Sequence, residues 1–122
     1  MNERPRLLIV DDEVELCESM ADVLTDAGYE AVTAHDARRA LRLSRHGPPP
    51  CLILLDLMMP EMTGWQFRER QLRDLRTRGI PVVIMTASRE PRHAPTRVGA
   101  LLLKPFTLDE LLEQVESVVG SA

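Results

Sequence analysis

Lysine is nearly missing from this chain: Lys104 stands alone against fourteen arginines. No apolar run approaches the roughly 20 residues needed to span a bilayer. The first residues, Met1 to Arg6, are polar, so no signal peptide is expected and a cytoplasmic location is. Neither Cys17 nor Cys51 has a CxxC partner, which makes buried, reduced thiols the expectation for both. His35, His46 and His93 lie far apart and form no metal-ligand spacing. Basic charge is not in excess either. A net charge of −4 argues against a nucleic-acid platform, because such domains gather basic residues on one face. Repeats, low-complexity tracts and internal linkers are absent, and 122 residues fit one domain, 1–122, with a sizeable core.

What is present alternates. Apolar runs of strand length occur at Arg6 to Val10, Tyr29 to Ala34, Cys51 to Leu55, Pro81 to Thr86 and Ala100 to Leu103. Between them lie helical patterns. Glu13 to Ala27 places Val14, Cys17, Met20, Leu24 and Ala27 on one face and stops at Gly28. Asp36 can cap a helix running to about His46, before Gly47-Pro48-Pro49-Pro50 breaks the chain. Thr63-Gly64-Trp65-Gln66 and Thr107-Leu108-Asp109-Glu110 are capping boxes that open two more helices. A further helix between Ser88 and Arg97 is doubtful, since Pro91 and Pro95 fall in or beside it. The arginines at 38, 39, 42 and 45, and at 68, 70, 73, 76 and 78, recur at helical spacing and read as solvated helix faces. Strands alternating with helices predict a parallel sheet with helices on both faces.

On that frame the polar residues collect at strand ends. Asp11 and Asp12 follow strand one, Asp56 ends strand three, Thr86 ends strand four, and Lys104 follows strand five. Open α/β sheets bind ligands at the carboxyl ends of their strands, and in the order 2-1-3-4-5 strands one and three are neighbours at the switch point. Three carboxylates would then converge on one edge. Two unit charges about 4 Å apart repel by roughly 4 kcal/mol at an effective dielectric near 20. A hard divalent cation relieves that, and Mg²⁺ suits a few carboxylates plus waters and phosphate oxygens. A carboxylate beside such an ion can accept a phosphoryl group as an aspartyl phosphate. Mg²⁺ would take one phosphoryl oxygen, the compact Lys104 ammonium a second and the Thr86 hydroxyl a third. Each residue alone has a plainer reading: Asp11-Asp12 as a helix cap, Asp56 as a turn residue, Thr86 as a strand end, Lys104 as a surface lysine. One site accounts for four strand ends together.

Four separated motifs carry a family resemblance: Leu7-Leu8-Ile9-Val10-Asp11-Asp12-Glu13, Leu55-Asp56-Leu57-Met58-Met59-Pro60-Glu61-Met62-Thr63-Gly64, Ile84-Met85-Thr86-Ala87 and Lys104-Pro105-Phe106. In this order and spacing they resemble the receiver domain of two-component response regulators, over nearly the whole chain. The resemblance implies a flavodoxin-like doubly wound (βα)5 fold. It implies Asp56 as phosphoacceptor and a sensor histidine kinase's phosphohistidine as donor. It implies Asp12 as a direct Mg²⁺ ligand, Asp11 as a largely water-mediated one, and the Met58 carbonyl as a third protein ligand. Lys104 would touch the phosphoryl group across a cis Lys104–Pro105 bond, and Thr86 would follow the phosphoryl oxygen. Two departures stand out. Leu101 occupies the place, three before the lysine, where the family usually has an aromatic residue. The stretch from Ala87 to Leu103 is a few residues short, so the fourth helix of the family pattern is expected to be short, displaced or absent.

Two other functions compete with phosphoacceptance. A receiver-like docking module that never turns over phosphate would not need the full acidic, Thr and Lys set. An aspartyl phosphohydrolase like the haloacid dehalogenases would place its nucleophile after strand one with a second Asp two residues on, whereas Asp11 and Asp12 are adjacent. A stand-alone receiver and one domain of a longer regulator or hybrid kinase both fit the sequence, which names neither the downstream protein nor the oligomeric state.

Overall fold

The structure, a computed structural model, describes residues 4–59, 62–87 and 100–120. Chain order runs β1 (Arg6–Val10), α1 (Val14–Asp26), β2 (Glu30–Ala34), α2 (Ala37–Arg45), β3 (Leu52–Asp56), α3 (Gly64–Arg73), β4 (Val82–Thr86), β5 (Ala100–Leu103) and α4 (Leu108–Val119). The five strands form one parallel sheet in the order β2-β1-β3-β4-β5. This is the expected doubly wound α/β fold. The doubtful helix between Ser88 and Arg97 lies outside the described residues.

β3 and β4 are buried along their whole length, which is why their sequences, LILLD and VVIMT, are apolar runs and not alternations. Neighbouring side chains point to opposite faces and feed two cores. Leu8, Val10, Ile53, Leu55, Val82 and Ile84 face the layer of α2 and α3, with Phe67 at its centre. Leu7, Ile9, Leu52, Leu54, Val83 and Met85 face α1 and α4.

Helix ends follow local chemistry. The Asp36 carboxylate accepts from the Arg39 amide and caps α2. Thr63 with Gln66 and Thr107 with Glu110 close both capping boxes reciprocally. Gly28, at φ +101°, turns the chain out of α1 in a conformation that side chains with a Cβ avoid.

Three expectations need correction. Cys51 is exposed, because β3 begins one residue later and Cys51 still belongs to the loop at the amino edge of the sheet. Arg68 is buried, not solvated; it donates to Gln71 Oε1 at 2.8 Å beneath the loop that leads to β4. Val14 and Ala27 lie at the ends of α1, beyond the reach of the sheet, and only Cys17, Met20 and Leu24 of that stripe are buried.

Candidate functional site at the carboxyl edge of the sheet

Parallel strands end on the same edge, and the register aligns their last residues. Val10 pairs with Leu55, so Asp11 and Asp56 come level; Thr86 pairs with Leu103, so Lys104 leaves the sheet beside it. Backbone bonds continue the ladder past the strands. The Asp11 amide donates to Ala34 O at 3.1 Å, and the Lys104 amide to Thr86 O at 2.8 Å. The Lys104–Pro105 bond is cis.

The acidic residues meet as the sequence predicts. Asp11, Asp12 and Asp56 each offer a carboxylate oxygen, and these atoms all lie within 4.8 Å of one another. Asp11 and Asp56 are buried, while Asp12 faces solvent. Among the described residues one cation answers them. Lys104 Nζ donates to Asp11 Oδ2 at 2.8 Å, stands 3.6 Å from Asp56 Oδ1 and reaches Glu13 Oε2 at 4.0 Å. Asp11 Oδ1 accepts from the Glu13 amide, and Asp56 Oδ1 from the Met58 amide at 3.2 Å. Thr86 is buried at the end of β4, and the Met58 side chain is exposed.

Among the described residues, one ammonium stands against three carboxylates. Burial, then the charge of Asp11, pushes the Asp56 carboxyl up from its ordinary 3.8 to about 6, against the pull of Lys104. Burial disfavours the Lys104 ammonium, but its hydrogen bond to Asp11 and its attraction to Asp11, Asp56 and Glu13 prevail, and its pKa rises. Cys17 lies behind the pocket and donates from Sγ to Asp11 O at 3.3 Å. Burial and the Asp11 charge push that thiol up to about 12, so it is an inert wall of the site and not a nucleophile.

Sequence reasoning missed two features here. The first is the Asp11–Lys104 pair: the sequence points the lysine at a phosphoryl group, and its ammonium rests on the neighbouring carboxylate. No sequence signal distinguishes these, since the two residues are 93 positions apart. The second is Gly64. A Cβ there would sit 2.6 Å from Asp56 O and 2.8 Å from Leu57 Cα, so only glycine lets α3 start against the end of β3. The signal was present in the close spacing of Asp56 and Gly64, but it was read only as part of a cap. Leu101, the residue in the usual aromatic position, is half-buried and packs against the α2/α3 core.

The response regulator receiver domain model matches residues 7–116. The chain belongs to this family. The receiver is 36% identical over 118 residues to the phosphate regulon transcriptional regulatory protein PhoB of Escherichia coli, covering 93% of this chain and 51% of PhoB. It is 33% identical over 119 residues to the DNA-binding dual master transcriptional regulator RpaA of Synechocystis, covering 94% of this chain and 49% of RpaA. The chain thus spans about half the length of the curated relatives it matches. Among solved structures it is similar to the chemotaxis protein CheY4 of Vibrio cholerae, with a TM-score of 0.87, 29% identity, and coverage of 95% of this chain and 99% of that one. It is also similar to the signal receiver domain of a histidine kinase from Syntrophus aciditrophicus, at a TM-score of 0.84, 26% identity, and coverage of 94% and 89%.

A receiver is a phosphoacceptor signalling domain and not a classical enzyme, and its family implies a histidine kinase as phosphodonor. The Asp11, Asp12 and Asp56 triad is typical of a Mg²⁺-binding receiver site. The donors fit such an ion: all are hard oxygens, and a divalent cation would offset the charge that Lys104 leaves uncompensated. Among the described residues, no helix is long and apolar enough to cross a membrane.

Proposed function

We propose that the chain, as a single receiver domain over residues 1–122, accepts a phosphoryl group on Asp56 from the phosphohistidine of a sensor histidine kinase and passes the signal on by a conformational change. The observation that carries this is the position of Lys104 Nζ, 2.8 Å from Asp11 Oδ2 and 3.6 Å from Asp56 Oδ1. A small cation already sits between the acceptor carboxylate and its acidic neighbour.

Asp56 acts as the nucleophile: one carboxylate oxygen forms the bond to phosphorus as the P–N bond to the donor imidazole breaks. Asp12 would hold Mg²⁺ directly, Asp11 largely through water, with Asp56 and the Met58 carbonyl completing the protein ligands. The bound ion supplies positive charge where the phosphoryl oxygens gather. Lys104 turns from Asp11 toward one of those oxygens, and the Thr86 hydroxyl donates to another. An open groove of about 420 Å³ beside Lys104, bounded by Glu13, Leu16, Ala87, Pro105 and Phe106, leaves room for a donor to approach. A cytoplasmic site of action fits a kinase donor of this kind. Output passes through protein contacts or an attached domain.

The test is intact mass after incubation with acetyl phosphate, with Mg²⁺ or with a chelator. One added phosphoryl group is expected in the presence of Mg²⁺ only, and none in Asp56→Asn. Labelling of Asp56→Asn at the wild-type rate would remove the assignment.

A further inference from the structure

The charges of the helices divide by sheet face. α1 carries Glu15, Glu18, Asp22 and Asp26 and no basic residue. α4 carries Asp109, Glu110, Glu113 and Glu116 and no basic residue. Both pack on one face of the sheet. On the other face α2 carries Arg38, Arg39, Arg42 and Arg45 and no acid, and it packs beside α3, which exposes Arg70 and Arg73. The modest net charge of −4 conceals an acidic layer and an arginine layer on opposite sides.

The spacings form stripes. Glu15, Glu18, Asp22 and Asp26 fall at i, i+3, i+7 and i+11, one exposed line about 16 Å long. Arg38, Arg42 and Arg45 fall at i, i+4 and i+7, a line about 10 Å long. Like charges at such spacing repel along a helix. Arg45 is paired with Asp74 at 2.9 Å, and Arg73 with Glu69 at 3.3 Å. Arg38, Arg39, Arg42 and Arg70 have no ion-pair partner among the described residues. Arg38, Arg70 and Arg73 also line a groove of about 350 Å³ between α2 and α3, shared with Asp36 and Glu69.

We propose that the α2/α3 face of one copy docks on the acidic α1/α4 face of a second copy. Three observations select this occupant. Both complementary stripes belong to this chain, at matching helical spacing. The arginine face is interrupted by Asp36, Glu69 and Asp74, which an unbroken row of phosphates would meet with repulsion, whereas separate carboxylates on a helix can pass between them. All its cations are arginines, whose planar forks pair with carboxylates two bonds at a time. Because the two faces lie on opposite sides of the sheet, the contact is head to tail and does not close at a dimer; it extends into short chains. Its polar, exposed character makes it weak and strongly dependent on salt.

Sedimentation velocity over a rising concentration series, at low and at high salt, tests this. For the wild type the weight-average sedimentation coefficient is expected to rise with concentration near 20 mM salt and to stay at the monomer value near 500 mM, a loss of affinity of about tenfold or more. Two charge-reversal variants sharpen it: Arg38→Glu with Arg42→Glu, and Glu18→Arg with Asp22→Arg. Each alone is expected to be monomeric at low salt, and an equimolar mixture of the two to associate, since the α1 stripe of one then meets the unchanged α2 stripe of the other, and the two reversed stripes also attract each other. The mixture also shows that both variants are folded. A wild type that is monomeric throughout overturns the proposal, as does association that persists at high salt or in the α2 variant alone. A monomeric wild type that shifts only when a short DNA duplex is added overturns it in favour of a polyanion.

Discussion

Gln71 is fully buried, and Asp56 is 3% exposed. Both polar atoms of the Gln71 side chain are used. Its Oε1 accepts from Arg68, its Nε2 donates to Thr77 O and Ile80 O, both at 2.9 Å, and the Thr77 hydroxyl returns a bond to Gln71 O. That cluster ties the end of α3 to the turn before β4. Asp56 sits in the opposite condition, beside two other carboxylates with one ammonium among them. The satisfied cluster stabilises the fold. The unsatisfied one costs stability, and that cost marks the place where we propose that a cation and a phosphoryl group are received.

Breaking the satisfied cluster should have the largest effect on stability. Gln71→Ala strips a partner from the buried Arg68 guanidinium, takes the side-chain donor from Ile80 O, leaves Thr77 O with the Ile80 amide alone and opens a cavity, a loss of about 3 kcal/mol. Urea denaturation is expected to show it, while the labelling rate of the folded protein stays the same. A change in rate without a change in stability would mean that the two clusters are not independent.

Asp56→Asn should do the reverse. The folded carboxyl titrates near 6 and the unfolded one near 3.8. Below about pH 3.8 both states are neutral and the site costs nothing. As pH rises to 6 the unfolded state gives up its proton first, and stability falls; above 6 the cost is complete, about 2–3 kcal/mol without metal. The asparagine variant is therefore expected to melt about 8 °C above the wild type at pH 8 without Mg²⁺, and with it near pH 3.5. Equal melting temperatures at pH 8 would show that Lys104 already balances the pocket.

Gly64→Ala joins the two properties. Its Cβ would press on the Asp56 carbonyl and Leu57 Cα, both backbone atoms that cannot rotate aside. A loss of about 2 kcal/mol is expected, with a slower labelling rate because the acceptor itself is displaced. A variant that loses stability but labels normally would confine Gly64 to packing.

The contrast also separates what the sequence discloses from what it hides. Strand-length apolar runs, capping boxes at Thr63 and Thr107, and acids at the ends of strands are local patterns, and the sheet order, the helix starts and the meeting of Asp11, Asp12 and Asp56 follow from them. The burial of Arg68 does not, because its helical spacing matches that of the solvated arginines around it; only the packing of the loop to β4 distinguishes it. Cys51 was misread for a related reason: a cysteine extends an apolar run without having to be in the strand. The preference of Lys104 for Asp11 and the charge division between the two helix layers arise only when distant segments are brought together.

The smallest expected effect bears most directly on the lysine. Lys104→Arg keeps the positive charge at the edge of the sheet, but the side chain is only 18% exposed, so the metal-free protein should lose about 1 kcal/mol, the usual scale of a point substitution. Guanidinium, however, is a planar fork that can hold Asp11 with two bonds at once, and it is too broad to turn into the gap beside Asp56. Its charge would remain with the wrong carboxylate as the phosphoryl group arrives. Labelling by acetyl phosphate is expected to slow about tenfold, the equivalent of roughly 1.4 kcal/mol of lost transition-state stabilisation. An arginine variant that labels as fast as the wild type would show that charge alone suffices, and that the single lysine among fourteen arginines owes nothing to the chemistry of the site.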